Sequence, residues 1–178
     1  MANQVVLDLW KLKNLQLLRD CGIEGLGNAS YFGDAMRLEF GKMKNLRFSK
    51  LSFDGEDRKV NAEDEQLLEA LHPPPSLEEL GILYYRGSIF PNSLISLTNL
   101  RALKIRWCKN CEHLPPLGKL PSLEKLTISD LRRVKTVGNE FLGIEVLIMT
   151  RLHLHLHLHR WLPSRNWNHS SFGKCLNW

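Results

Sequence analysis

Apolar residues in the second half of the chain recur at fixed offsets. Leu97, Leu100, Leu103 and Ile105 follow the order L-x-x-L-x-x-L-x-I, and Leu120, Leu123, Leu126 and Ile128 repeat it 23 residues later. One unit upstream, Pro74, Leu77, Leu80 and Ile82 keep the spacing, with proline in the first place. Phe48, Leu51 and Phe53 form a weaker copy in which Leu51 precedes Leu80 by 29 residues, and the excess is assigned to a looped insertion holding the acidic run Asp54–Gln66. Leu12, Leu15 and Leu18 form a degenerate or terminal unit without a clean strand core.

A leucine order with a period of about 20 to 29 residues is the mark of a leucine-rich repeat. The L-x-L core predicts a short strand whose leucines point inward while the alternate residues point to the other face. No single unit buries its own apolar edge, so neighbours stack. The predicted fold is an α/β solenoid, an arc with short parallel strands on its concave face and mostly irregular convex loops. The unit at Leu103 continues through Cys108, Cys111 and Leu114 to Pro115 and Pro116. Cys108 falls where the repeat allows asparagine or cysteine, and the prolines suit an irregular return better than a helix.

Stacked in register, the strands present columns of outward residues: Lys50, Ser52 and Asp54; Glu79, Gly81 and Leu83; Ala102, Lys104 and Arg106; Lys125, Thr127 and Ser129. This mixture of charge, hydroxyl and apolar groups on a broad face suits a protein partner better than a small molecule. Lys104 and Arg106 are the foremost candidates. Trp107 has the side chain of an interface anchor, with an inward orientation at the strand end left open.

Composition adds little beyond exclusions. Of 178 residues, 43% are hydrophobic and 24% charged, with a net charge of +5 spread in mixed sign, which points to no nucleic-acid site. No apolar run approaches the roughly 20 residues of a membrane span. The N-terminus lacks the pattern of a secretory signal, so a cytoplasmic location is expected. Four cysteines, Cys21, Cys108, Cys111 and Cys175, are too few and scattered for a disulfide scaffold. Cys108-x-x-Cys111 lacks the second pair a structural zinc wants, and is assigned to core packing. No nucleophile elbow, phosphate loop or paired carboxylates occur in the required context, and Glu78 and Glu79 face opposite sides of a strand. The acidic residues Glu63 to Glu65 are assigned to a solvated loop. No catalysis and no cofactor are expected.

The run Leu67 to Glu145 contains "LEAL", "PSLEEL", "YYRG" followed by "FP", "CKNCEHLPPLGKLPSLEKL" and "VKTVGNEFLG", and upstream stand "IEGLGN" and "LSFDGED". In that order these resemble the leucine-rich-repeat region of plant nucleotide-binding disease-resistance proteins of the coiled-coil class, from about Leu12 to Glu145. The resemblance implies recognition of a pathogen effector or guarded host protein, and, in a full receptor, contacts that hold the nucleotide-binding domain inactive. It implies a truncated receptor, divided into a degenerate unit over 1–26, repeats over 27–145 and a non-repeat tail over 146–178. Two departures stand out: Ser93 replaces a tryptophan usual in the family, and no "GxxxxGK[ST]" loop is present. The alternatives are a standalone repeat protein acting as adaptor or decoy, and a metal-binding protein acting through its tail.

In that tail Leu152, Leu154, Leu156 and Leu158 alternate with His153, His155, His157 and His159. The period of two places the histidines on one face of a strand, and imidazoles at i and i+2 suit zinc or nickel. A second account rests on the genetic code. His-Leu repeats written CAT-CTT become TCA-TCT, a run of serines, one base out of frame, and the resembled family often carries a serine-rich linker here. We expect the residues after about Glu145 to be a frameshifted or mispredicted end, poorly ordered and not packed with the repeats. Sequencing a full-length transcript tests this: serine codons one base out of frame are the expected result, and a clean reading through Trp178 the opposite one.

Overall fold

The computed structural model describes residues 17–27, 39–53 and 60–134, with the backbone of 153–157. Six strands follow one another in chain order: β1 (Asp20–Leu26), β2 (Phe48–Phe53), β3 (Glu79–Leu83), β4 (Ala102–Arg106), β5 (Lys125–Ser129) and β6 (His153–His157). Each lies parallel to the next in an open sheet.

The inward columns are those the spacing predicts. Leu80, Leu103 and Leu126 stand side by side, as do Leu51, Ile82, Ile105 and Ile128, all at most 1% exposed. Behind them, Leu77, Leu100 and Leu123 are buried as the chain enters each strand, and Leu97 and Leu120 half a turn earlier. A parallel sheet needs cover, and the convex returns supply it. Three are short 3₁₀ turns, at Phe40–Lys42, Asn92–Ser96 and Leu117–Lys119, each burying one large side chain: Phe40, Leu94 and Leu117.

Three differences from the sequence reading have physical causes. The first is the register of β2. Ser49 rather than Leu51 pairs with Leu80, and Leu51 pairs with Ile82, so the strand is shifted by two residues. Phe53 lies beyond the stretch paired with β3, opposite Leu26 of β1, and is buried where its ring meets Tyr85 edge-on at 5.2 Å. The column starts with the small side chains Cys21 and Ser49, and the Ser49 hydroxyl is buried without a hydrogen bond.

The second concerns the insertion, where a helix replaces the expected loop. Helix α1 (Ala62–Leu71) is capped by Asn61, whose Oδ1 accepts from the N–H of Glu63 at 2.8 Å. Acidic residues fill its first turn, where the helix dipole favours them, and Leu67, Leu68 and Leu71 face the core. His72 ends it in the left-handed conformation at φ 41°. Asp64, assigned to a solvated run, is wholly buried. Its two oxygens accept from Nε and Nη2 of Arg86 at 2.9 Å each, and from the Arg86 backbone N–H at 3.1 Å. Arg86 also donates to the carbonyl of Gly27 at 2.8 Å. A Cβ on Gly27, at φ 96°, would stand 2.5 Å from Arg86 Nη2, so this glycine leaves room for the guanidinium. Glu65 accepts from the N–H and hydroxyl of Ser88 at 2.7 and 2.8 Å. Ser93, the departure noted above from the resembled sequences, donates to Glu69 of α1 at 3.0 Å.

The third concerns the tail. The backbone of His153–His157 pairs with all of β5, Leu154 opposite Leu126 and Leu156 opposite Ile128, in place of a tail standing apart from the repeats. β5 would otherwise present a row of unpaired amides and carbonyls, to which a period-two segment is matched. The rest of 146–178 lies outside the described residues.

Because Asp64 and Arg86 compensate each other away from water, removing either strands a buried charge. Arg86→Met is expected to lower stability by about 3–5 kcal/mol in urea unfolding. Asp64→Asn combined with Arg86→Met should cost much less than the two single losses added together.

Candidate functional site: the concave face of the sheet

Alternation along each strand that buries leucines must expose the residues between them. The outward columns, read from the pairing, are Asp20–Phe48–Glu79–Ala102–Lys125, then Gly22–Lys50–Gly81–Lys104–Thr127, then Ser52–Leu83–Arg106–Ser129. The β2 shift moves Lys50 from beside Glu79 to beside Gly81, and Ser52 to beside Leu83. Asp54 lies outside the described residues. Ser129 contributes little surface, being only 8% exposed between β4 and β6, and Ala102 is as closely covered. Glu79, Leu83 and Lys125 keep the outward positions expected of them. His153, His155 and His157 fall at the register positions of Lys125, Thr127 and Ser129, and His159 lies outside the described residues.

The columns enclose a shallow groove of about 450 Å³, bordered by Phe48, Lys50, Leu83, Lys104 and Arg106. Its middle column is depressed at two points because Gly22 and Gly81 have no side chains. A Cβ on Gly22 would meet nothing within 4 Å, and one on Gly81 only Lys50 and Ser49 atoms near 3.9 Å. The glycines are therefore not forced by crowding. They leave space.

Two lysines of the groove are paired across strands. Lys50 Nζ lies 3.1 Å from Glu24, and Lys104 Nζ 3.7 Å from Glu79. All four side chains are substantially exposed, so these contacts are weak and readily exchanged. Arg106 makes no ion pair among the described residues; its guanidinium lies 5.7 Å from the centre of the Trp107 ring.

Trp107 turns neither fully in nor fully out. Tyr84, Trp107 and Asp130, the residues just after β3, β4 and β5, share a left-handed φ of 58°. The turn carries the ladder one residue past the strand, with the N–H of Tyr84 donating to Arg106 and that of Trp107 to Ser129, both at 3.0 Å. It also stacks the Tyr84 and Trp107 rings, 4.8 Å apart and 12° from parallel, along the rim. Bulky residues pay an energetic penalty in this region of roughly 1–2 kcal/mol, which the ladder and the stack offset. Sequence reasoning missed the stack, although two aromatics one repeat apart signalled it.

Cys108 and Cys111 are wholly buried core residues, as the repeat pattern predicts. The Cys108 thiol points at the carbonyls of Arg106 and Ile82, at 3.3 and 3.9 Å, and that of Cys111 at His113 at 3.2 Å. Burial pushes the Cys108 thiol far up and that of Cys111 up to about 12. Among the described residues no group of histidine, cysteine and carboxylate side chains is arranged to hold a metal, and no helix is long and apolar enough to cross a membrane.

Comparison with known proteins adds a family. The model of the R13L1/DRL21 leucine-rich repeats matches residues 9–131. The chain is 33% identical over 125 residues to RGA4 and 34% over 122 residues to RGA1, both of Solanum bulbocastanum and both named for disease resistance. These matches cover 68% and 67% of this chain but only 13% and 12% of the relatives, so the chain spans about an eighth of their length. A disease-resistance RPP13-like protein of Arabidopsis thaliana is 35% identical over 78 residues, 43% of this chain and 7% of that protein. No solved structure matches.

The thiols set an alkaline limit on the repeat core. An unfolded thiol ionises near 9.0 while folded Cys111 holds its proton to about 12, so the folded state binds more protons between these values and stability falls as pH rises through them. In urea titrations from pH 8 to pH 11, Cys111→Ala should flatten that fall. An unchanged slope would contradict the assignment.

Proposed function

The chain belongs to the R13L1/DRL21 leucine-rich-repeat family, and from that premise we propose that it is the protein-recognition module of a plant disease-resistance receptor. Its work is to bind protein with the concave face, a pathogen effector or guarded host protein on one hand and the receptor's own nucleotide-binding domain on the other. It carries no catalytic role and acts in the cytoplasm.

The observation that supports this reading best is the open groove across the strands. Gly22 and Gly81 keep it clear without any packing need, and its border combines exposed Lys104 and Arg106 with the apolar Phe48 and Leu83. A closed pocket would suit a small molecule; a shallow face with a few charged and aromatic anchors suits a protein. The matched disease-resistance proteins are about eight times longer than the matched stretch, which is compatible with a second partner, a nucleotide-binding domain, in the same chain.

The test is coprecipitation of this chain with the nucleotide-binding domain of a coiled-coil-class disease-resistance receptor from leaf tissue expressing both. Lys104→Glu with Arg106→Glu is expected to reduce recovery by about tenfold or more, the scale of losing charged interface contacts. Both positions are exposed, so the thermal midpoint should hold. Recovery unaffected by the double reversal would sink the assignment of the concave face.

A further inference from the structure

The charge of the concave face is graded along the solenoid. β1 contributes Asp20 and Glu24, β2 Lys50, β3 Glu79, and β4 and β5 contribute Lys104, Arg106 and Lys125. The carboxylates of Glu24 and Glu79 are already met by Lys50 and Lys104. Among the described residues Arg106 and Lys125 make no ion pair, so the surplus of positive charge sits at the β4–β5 end.

Midway along the face lies the depression over Gly81, with Leu83 next outward residue on the same strand and the Lys50 side chain 3.9 Å from a Cβ placed on the glycine. It admits one apolar side chain and desolvates it against Leu83 and the lysine stems. Gly81 is in register with Thr127, so Lys125 lies two strand spacings of about 4.8 Å across and two residues of about 3.3 Å along, about 12 Å in all, or roughly three to four residues of extended chain.

We propose that the groove takes an extended acidic peptide segment of the partner, its apolar anchor seated over Gly81 and its carboxylates, within about four residues of the anchor, on Arg106 and Lys125. This rests on the reading of the concave face as a protein-recognition surface and adds the chemistry it selects. The planar guanidinium of Arg106 is suited to bidentate capture of a carboxylate, and its position beside the Trp107 ring limits the freedom lost on binding. Because these cations are exposed, attraction falls as salt rises.

The experiment is selection of a phage-displayed random linear heptapeptide library on the purified 178-residue chain, followed by titration of the recovered peptides. The expected peptides carry carboxylates within about four residues of a single leucine, isoleucine, methionine or phenylalanine. Their binding should weaken about tenfold or more with Arg106→Glu, and similarly with Gly81→Leu. Gly81 has ordinary φ and open space, so Gly81→Leu should leave the thermal midpoint unchanged and isolates the anchor from folding. Recovery of neutral or basic peptides that Gly81→Leu still weakens would overturn the acidic chemistry and leave the concave face standing as a recognition surface. Peptides indifferent to both substitutions, or no enrichment at all, would overturn the proposal together with the reading beneath it.

Discussion

Lateral packing of identical apolar positions from one repeat to the next is the constraint on which the remaining architecture depends. A five-residue strand such as β4 buries little by itself. Placed between β3 and β5, its Leu103 and Ile105 lie between Leu80 and Leu126 and between Ile82 and Ile128, and all are closed off from water. That match must hold at every step, so the register of the inward columns also dictates which outward residues become neighbours. The groove is a by-product of core packing that substitution can tune freely, because Gly81, Lys104 and Arg106 answer to no neighbour in the core.

The same constraint explains where the strands stop. Tyr84, Trp107 and Asp130 take up a left-handed conformation at equivalent points, which turns the chain away, and at Tyr84 and Trp107 the N–H still bonds to the next strand. Where two such residues are aromatic, the turn leaves their rings stacked along the rim instead of in the core. Behind the sheet, the thiols of Cys108 and Cys111 occupy the small space inside the following turn and saturate carbonyls there.

Legibility followed the regularity of the repeat. Residues 74–128 obey one spacing, and there the strands, the inward columns and the burial of both cysteines could all be read directly. The β2 register was not legible because Phe53 reads as the equivalent of Ile82, whereas Leu51 stands opposite Ile82, the polar Ser49 stands opposite Leu80, and Phe53 is buried one step further along. Helix α1 did leave a trace: Asn61 as cap and Leu67, Leu68 and Leu71 on one face. Its acidic first turn was read as solvated because the partner of Asp64 is Arg86, 22 residues away, and no local pattern reveals that contact. On the concave face, outward positions were legible from alternation, but the space over Gly81 and the closeness of Arg106 to Trp107 depend on how strands are spaced side by side.

Arg86 has a consequence for the order in which the chain assembles. Contacts in a stacked array are mostly between adjacent units, so such an array can zip up from any point and fray from either end. The bond from Arg86 to the carbonyl of Gly27 spans 59 residues and joins the end of β1 to the turn beyond β3, with α1 fastened between them by Asp64. The first strand therefore cannot fray without loosening a buried guanidinium two units away. The end of β1, α1 and the turn beyond β3 are thereby coupled, and bringing them together carries the loop entropy of the chain between Gly27 and Arg86, a cost that stacking one later repeat on its neighbour does not share.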